Sequence, residues 1–409
     1  MTLIILSIAI IVVSLAAVAV GRVPRLRMNR ATIALVAAVA LVLAGALSLE
    51  QAYAALDLNT LVLLLAVMVI NGNLRISGFF RLAAERIVNR ARSPRQFLAL
   101  VVGASGILSA LFLNDTIVLV FTPLVAEIAL RAGRNPVPYL IALAASANVG
   151  SAATIIGNPQ NILIGSASGI PFLTFTAHLA PVAAGGLIIV WLVVGFVYRK
   201  EFAPEGRFRA RSDVRFFVYR PLLLKSLSAA GLMLVAFIAG APVPLAALVA
   251  AALLLITRRL KPERIFREVD WSLLVFFSGL FVITRAIETT GVSGILFQGV
   301  WPLAGRGIVS FSAAAALLSN LVSNVPAVML FRPLVSGLAD PGPAWLTLAM
   351  ASTLAGNLTL LGSVANLIMA ERARKHGVRV SFLEYLKAGV PITILSLIWG
   401  ILCLSVTTG

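Results

Sequence analysis

The sequence predicts an all-α polytopic membrane protein built as an inverted-topology repeat. The first observation is composition: 60% of the 409 residues are apolar, 12% are charged, and the mean hydropathy is +1.03. No soluble domain of this length sustains such values. The second is a duplicated order of motifs, and the third is a one-sided distribution of Lys and Arg. Together they predict about ten transmembrane helices, two re-entrant hairpins and two broken helices.

Two motifs recur in the same order in both halves of the chain. FLNDTIVLVFTPLV at 112–125 matches VSNVPAVMLFRPLV at 322–335, with an offset of 210. TIIGNPQNILI at 154–164 matches TLLGSVANLIM at 359–369, with an offset of 205. Each motif places polar, Gly or Pro residues inside an otherwise apolar stretch, which is typical of the central site of secondary transporters. The sequence therefore predicts a duplicated fold with its site at these interruptions.

The predicted elements follow the same order in both repeats. Several apolar runs approach the ~20 residues that a bilayer-spanning helix needs, and polar residues interrupt the longer segments. In the first repeat, 1–198, we predict spans at 2–20, 31–49, 58–74 and 178–198, a re-entrant hairpin at 96–131 and a broken helix at 136–176. In the second repeat, 222–409, we predict spans at 222–239, 244–257, 270–287 and 388–406, a hairpin at 306–338 and a broken helix at 343–371. Residues 199–221 form the predicted cytoplasmic linker.

Basic residues mark one side of the predicted membrane protein. Thirty of the 33 Lys and Arg residues lie in six predicted loops, at 21–30, 75–95, 131–134, 199–225, 258–269 and 371–387. Because short cytoplasmic loops are enriched in Lys and Arg, we predict that these loops are cytoplasmic and both termini external, in a multi-pass protein of the inner (plasma) membrane. The net charge of +18 then reflects contact with anionic membrane lipid. Nucleic-acid binding is excluded.

This orientation makes the two repeats inverted. Asp57 precedes a span that enters the membrane from outside, whereas its counterpart Asp270, at an offset of 213, precedes one that enters from the cytoplasm. The hairpin at 96–131 likewise has cytoplasmic ends, and the hairpin at 306–338 has external ends. Inverted repeats of this kind are common among secondary transporters.

The chain lacks the residues that enzymatic chemistry or a metal centre would need. It has one cysteine, Cys403, and its two histidines, His178 and His376, lie about 200 residues apart without metal-ligand spacing. It has no phosphate-binding loop, no GxSxG and no HExxH sequence, so we predict neither ATP hydrolysis nor another enzymatic activity. We predict no cofactor and no metal.

The hairpin tips are the first pair of predicted site elements. Asn114-Asp115-Thr116 lies between two apolar arms, and Ser323-Asn324-Val325-Pro326 occupies the equivalent place in the second repeat. We expect Asn114 or Asp115 to cap the second arm of its hairpin, and Pro326 to be a first helical residue. The free N–H groups and positive dipole of such a helix start suit an anion or an oxygen-rich solute.

The broken helices are the second pair. Pro159 interrupts one of them within Gly157-Asn158-Pro159-Gln160-Asn161, because proline removes a helix donor. The counterpart runs from Gly356 to Asn366 and uses glycine in place of proline. Irregular backbone at membrane depth is tolerated only where protein buries it or where it lines a wet cavity. We therefore expect both breaks to face the hairpin tips.

These motifs resemble those of the ion-transporter superfamily. NDT…TPLV followed by TIIGNPQN, and SNVP…RPLV followed by GNLTLLGSVANLI, are most similar to the arsenical-pump and NhaD-type permeases, with the divalent-anion/sodium symporters more distant. The resemblance spans nearly the whole chain. It implies a scaffold domain and a mobile transport domain, with the tips and breaks forming the site. It also implies that a separate ATPase subunit can pair with such a permease.

The predicted solute-binding residues are polar side chains of the tips and breaks: Asn114, Thr116, Asn158, Asn161, Ser323, Asn324, Thr359, Ser363 and Asn366. Asp115 is the one acid that we place deep in the membrane, and we expect it to bind the coupling proton or sodium ion. Amides suit uncharged arsenous acid, so we predict export of arsenite or antimonite in exchange for protons. The alternative is a sodium- or proton-coupled dicarboxylate or oxyanion carrier, or a sodium/proton antiporter. Arg332 favours an anion if it faces the cavity.

Overall fold

The structure, a computed structural model, describes residues 2–21, 26–88, 90–202, 218–257, 260–291 and 307–408. Every regular element in these ranges is a helix, which confirms the all-α prediction. The helices of the first half are α1 (Thr2–Val20), α2 (Arg30–Leu43), α3 (Leu49–Ala54), α4 (Leu58–Ser77), α5 (Phe79–Val88), α6 (Pro94–Leu111), α7 (Asn114–Arg131), α8 (Pro136–Ser151), α9 (Pro159–Ser168) and α10 (Phe172–Val197). Those of the second half are α11 (Arg220–Ile238), α12 (Val243–Leu255), α13 (Pro262–Phe266), α14 (Trp271–Thr289), α15 (Ile308–Val322), α16 (Asn324–Ser336), α17 (Gly342–Ala355), α18 (Val364–Lys375) and α19 (Phe382–Thr408).

The order of helices repeats. Helices α1 to α4 correspond to α11 to α14, and α6 to α10 correspond to α15 to α19. The helix caps repeat as well: the Asp57 carboxylate accepts from the Thr60 N–H, and the Asp270 carboxylate accepts from the Leu273 N–H, both at 3.1 Å. Each carboxylate satisfies a free donor and interacts favourably with the helix dipole. The counterpart of α5 would fall within 292–306, outside the described residues, as does most of the predicted linker.

Among the described residues, six helices are long and apolar enough to cross a bilayer: α4, α6, α10, α11, α14 and α19. The span predicted at 31–49 is shorter than expected. Helix α2 ends at Leu43, and the chain turns at Gly45, whose φ is 73°, a conformation that glycine adopts without strain.

The loop predicted at 75–95 contains a helix, α5, that the sequence analysis did not predict. Gly78, with φ of 85°, ends α4 in the left-handed conformation and starts the chain in a new direction. The rings of Phe79 and Phe80 then pack edge-on against Phe112, with centroid distances of 5.7 and 5.5 Å. Aromatic contacts of this geometry are favourable, so α5 is held against the first hairpin tip.

Helices of one repeat pack on helices of the other. Helix α14 lies on α2, and α4 lies on α12. A Cβ at Gly279 would lie 2.7 Å from the Ala34 carbonyl carbon, so the approach of α14 to α2 needs glycine. The second arms of the hairpins, α7 and α16, pack on α18 and α9, the second halves of the opposite broken helices. The second arm of each hairpin therefore contacts the broken helix of the other repeat.

Candidate functional site

The first hairpin tip is closed onto the first break. Helix α7 begins at Asn114, after Leu113 in the N-cap position, and no side chain caps it. The Asn114 backbone N–H donates to the Gly157 carbonyl at 3.0 Å, and its side-chain N–H donates to Asn148 Oδ1 at 3.1 Å. The expected cap by Asn114 or Asp115 is therefore wrong. Both residues lie inside the helix, and the Asn114 amide instead reaches the neighbouring helix α8.

Asn148 on α8 links the two repeats, and the sequence analysis did not predict it. Its amide N–H donates to Asn357 Oδ1 at 2.8 Å and to Asn366 Oδ1 at 3.1 Å. Its own Oδ1 accepts from the Ser363 hydroxyl at 3.0 Å as well as from Asn114. A buried polar network of this kind is worth more than its separate pairs. The signal was present in the sequence as an asparagine within the largely apolar α8.

Thr353 on α17 is the counterpart of Asn148, at an offset of 205. Its hydroxyl oxygen accepts from the side-chain N–H groups of Asn158 and Gln160, at 3.3 and 3.2 Å. Its hydroxyl hydrogen is donated to Asn161 Oδ1 at 3.4 Å. Helices α8 and α17 are the first halves of the two broken helices, and each therefore forms hydrogen bonds with the break of the other repeat. The contacts are reciprocal, as an inverted duplication requires.

Asn161 and Asn366 hold the shape of the breaks. Asn161 Nδ2 donates to three carbonyl oxygens of its own break, those of Ser151 at 3.2 Å, Ala152 at 3.3 Å and Thr154 at 3.0 Å. Asn366 Nδ2 donates to the equivalents of the first and last of these, Gly356 at 2.8 Å and Thr359 at 3.0 Å. Both side chains are fully buried. Their amide hydrogens satisfy backbone groups that the broken helices would otherwise leave unpaired.

The remaining break residues cap helices or lie at the surface of the second break. Asn158 Oδ1 accepts from the Asn161 backbone N–H at 2.8 Å and starts α9. Ser363 Oγ accepts from the Ala365 N–H at 3.2 Å and starts α18. Thr359 is partly exposed within the second break.

The second hairpin tip is more open than the first. Ser323 has a φ of 83°, which no other non-glycine residue in the described ranges shares, and such a conformation costs about 1–3 kcal/mol. Asn324 is the first residue of α16, so Pro326 is the third and its expected first position is wrong. Asn324 Oδ1 is buried and has no hydrogen-bond partner among the described residues. Arg30 Nη1, from the start of α2, lies 3.5 Å from Ser323 Oγ.

A cavity of about 190 Å³ lies beside the first tip, between α4, α7, α14 and the starts of α9 and α18. Its polar and charged lining residues are Asn71, Arg75, Asp115, Thr116, Glu268 and Asp270. Arg75 pairs with Glu268. None of the ion pairs among the described residues involves Asp115 or Asp270. The cavity thus carries two carboxylates without a basic partner.

Of the predicted site residues, the cavity brings together Asp115 and Thr116. Six others surround the breaks: Asn114, Asn158, Asn161, Thr359, Ser363 and Asn366. Ser323 and Asn324 form the separate second tip. The first residues of α9 and α18, Pro159 and Val364, also line the cavity, so two positive helix ends face it.

Arg332 lies near the N-terminal end of α4, whereas the charged part of the cavity lies near its C-terminal end, at Arg75. Its Nη1 is 3.4 Å from Asp57 Oδ2, and its guanidinium carbon is 6.0 Å from the centre of the Phe281 ring. The Ser166 hydroxyl donates to Asp57 Oδ1 at 3.3 Å. Arg332 therefore completes an ion pair at the start of α4, where an aromatic face also favours the cation.

Comparison with known proteins places this fold in a family. The sequence pattern of the citrate transporter family (CitMHS) matches residues 2–355. The chain is 33% identical to the silicon efflux transporter LSI3 of Oryza sativa subsp. japonica, over 93% of each chain. It is 23% identical to the arsB protein of Dictyostelium discoideum, over 92% of this chain and 87% of that one.

A solved structure shares the fold. The YdaH transporter of Alcanivorax borkumensis, whose crystal structure is described as having an unusual topology, superposes with a TM-score of 0.60 at 16% identity, over 100% of this chain and 98% of that one. The chain therefore belongs to the citrate transporter (CitMHS) family and is a polytopic membrane transporter of the ion-transporter superfamily.

Proposed function

We propose that the protein is a secondary active carrier that exports small uncharged metalloid acids, first arsenous and antimonous acid, in exchange for protons. The observation that carries this proposal is the charge of the cavity. Among the described residues no basic side chain pairs with Asp115 or Asp270, and the Arg75 guanidinium is paired with Glu268. An anion would be repelled by this lining, whereas a neutral hydroxide donates its hydrogens to carboxylates and accepts from helix starts.

The size of the cavity supports a small solute. Its volume of about 190 Å³ is below the roughly 300–1,000 Å³ of typical ligand pockets. Arsenous acid has three hydroxyls, and silicic acid, the neutral form of dissolved silicon, has four. The names of LSI3 and arsB therefore agree with one class of solute, small uncharged oxygen-rich hydroxides.

We assign roles to the predicted residues on this basis. Asp115 binds the coupling proton or sodium ion, and Thr116 with the two helix starts binds hydroxyl groups of the solute. The conformation of the first tip and of the breaks is held by the hydrogen bonds of Asn114, Asn158, Asn161, Ser363 and Asn366. Ser323, Asn324 and Thr359 bind solute when the second tip closes. The basic loops are cytoplasmic, so the cavity opens towards the cytoplasm of an inner-membrane carrier.

A carboxylate anion is the second candidate. The family description names citrate, and Arg30 lies 3.5 Å from Ser323 at the second tip, where its charge would attract an anion. For an anion to enter the cavity at the first tip, however, cations or protons must neutralise Asp115 and Asp270.

Transport by purified protein in liposomes tests the proposal and removes any ATPase partner. An imposed pH gradient should drive accumulation of arsenite or antimonite, and solute flux should in turn dissipate the gradient. Silicic acid should compete. Accumulation of citrate or another carboxylate, with no response to arsenite, would overturn the substrate assignment in favour of the anion carrier.

A further inference from the structure

The helix caps Asp57 and Asp270 occupy equivalent positions but have different partners. Asp57 pairs with Arg332 at 3.4 Å and accepts the Ser166 hydroxyl at 3.3 Å. The residue equivalent to Arg332 in the first hairpin, at an offset of 210, is Thr122, whose hydroxyl donates within its own helix. Within the described part of the chain, Asp270 therefore has no counterpart of the arginine that pairs with Asp57.

Asp115 adds a second carboxylate to the cavity that Asp270 lines. Its equivalent in the second hairpin is Val325, so the acid is present in one repeat alone. The charged groups that line the cavity are Arg75, Asp115, Glu268 and Asp270. Of these, Arg75 and Glu268 form an ion pair with each other. Asp115 is partly buried, and Asp270 is exposed at the start of α14. A carboxylate at membrane depth, such as that of Asp115, is costly without a counter-charge, and the neighbouring charge of Asp270 adds to that cost.

Asn71 gives an independent indication of a ligand in the same cavity. It lies on α4, lines the cavity and is 3% exposed. Neither its amide nitrogen nor its amide oxygen has a hydrogen-bond partner among the described residues. Buried amides are nearly always paired in native proteins, and an amide oxygen is a ligand that hard cations accept.

We infer that Asp115, Asp270 and Asn71 form a binding site for one monovalent cation, Na⁺ or H⁺, between the first hairpin and the central spans α4 and α14. The inference rests on the proposed function, since it names the site of the coupling ion in that carrier. The cation takes the place that Arg332 fills beside Asp57. Asp115 belongs to the hairpin and Asp270 to a span, so the cation connects two parts of the fold.

This arrangement supplies a rule for coupling. Without the cation, two carboxylates face each other across the cavity, and their repulsion opposes movement of the hairpin towards α14. With the cation bound, or with hydroxyl groups of the solute donating to both carboxylates in its place, the repulsion is offset and the cavity can close. The empty carrier is thereby prevented from changing state, as an ion-coupled transporter requires.

Cation binding can be measured apart from transport. Thermal unfolding of purified wild type, Asp270→Asn and Asn71→Leu would be followed in detergent. NaCl or MgCl₂ first replaces choline chloride, and the pH is then varied in the absence of both metal ions. Asp340→Asn, an exposed loop acid, is the matched control. Asparagine caps helices as well as aspartate does, so Asp270→Asn should fold. We expect its apparent cation affinity to fall about tenfold or more, and that of Asp340→Asn to stay unchanged.

The outcomes separate this inference from the proposed function. A wild type that responds to neither cation, or an Asp270→Asn variant with an unchanged response, would overturn the site, as would a response to Mg²⁺ alone. If Asp270→Asn does not fold, Asn71→Leu decides by the same criterion. Arsenite stabilisation is measured in the same samples. Cation binding without any arsenite response would support the cation site and overturn arsenite as the substrate. Arsenite binding without cation binding would support the substrate and overturn the cation site.

Discussion

The two tip-and-break units descend from one motif, yet the first is packed shut and the second is open. In the first, the Asn114 N–H reaches the Gly157 carbonyl at 3.0 Å, and residues 151–158 are all buried. In the second, residues 358–360 are partly exposed, and Leu361 is 62% exposed. The two units therefore share the order of their elements but differ in how tightly the tip is closed onto the break.

This asymmetry suits a carrier made of inverted repeats. If the two units exchange their closed and open forms, access changes from one side of the membrane to the other without a new fold. The side chains that differ between the units then determine direction and coupling. Asp115 in the first unit corresponds to Val325 in the second, and Arg332 in the second corresponds to Thr122 in the first.

Replacing the acid of the first unit should have the largest effect. Asp115→Asn removes the carboxylate that we assign to the coupling ion, so arsenite accumulation driven by a pH gradient should be abolished in liposomes. Solute binding should persist, because the helix starts and Thr116 are unchanged. Thermal stabilisation by arsenite measures that binding.

Glu127→Gln is the matched control, since it makes the same change on the same helix. Glu127 pairs with Arg131 at 2.7 Å near the end of α7 and is partly exposed, so the variant should transport normally. Gradient-driven accumulation by Asp115→Asn at the wild-type rate would rule out the coupling role.

A pair of glycine substitutions measures how tightly each break is packed. A Cβ at Gly157 would collide with the Ser151 carbonyl and lie 2.9 Å from the Ser109 carbonyl, both backbone groups. A Cβ at Gly362 would lie 3.0 Å from the Gly356 carbonyl and 3.1 Å from Asn320 Oδ1. We expect Gly157→Ala to lower the free energy of unfolding by about 3 kcal/mol and Gly362→Ala by about 1 kcal/mol.

Equilibrium unfolding in mixed detergent micelles gives both values. Equal losses would mean that the two breaks are packed alike, and the contrast between a closed and an open unit would then fail.

The sequence predicted the order of the long helices and the position of each interruption, because both depend on local composition, but it did not predict the short helices α3 and α13. An apolar run broken by Asn, Gly or Pro identifies a hairpin or a broken helix wherever it packs. Asp57 and Asp270 were predicted to precede equivalent spans, and they do precede α4 and α14, but their role as helix caps was not predicted. Helix α5 was missed because Phe79 and Phe80 stabilise it through Phe112, a residue distant in sequence.

Partner choice within the site could not be predicted from local sequence. Asn148 and Thr353 lie within helices, and nothing near them indicates that each reaches across to the other repeat. The pairing of Arg332 with Asp57 joins residues 275 positions apart. Asn114 was expected to cap its helix because asparagine commonly does so, but contacts to Asn148 and Gly157 outweighed that preference.

Weakening the ion pair of the second unit should have the smallest effect. Arg332 and Asp57 are 33% and 12% exposed, and partly exposed pairs contribute about 0.5–1 kcal/mol. Because the pair stabilises the state with an open cavity, Arg332→Gln should shift the carrier away from that state. A cysteine reporter in the cavity lining, Leu119→Cys, should then be labelled about two- to fivefold more slowly. An impermeant thiol reagent on everted vesicles measures this rate in a Cys403→Ser background. Arg285→Gln, which removes the local pair with Glu288 at 2.8 Å, is the control and should leave the rate unchanged. An equal decrease in both variants would show that the Asp57–Arg332 pair does not stabilise this state.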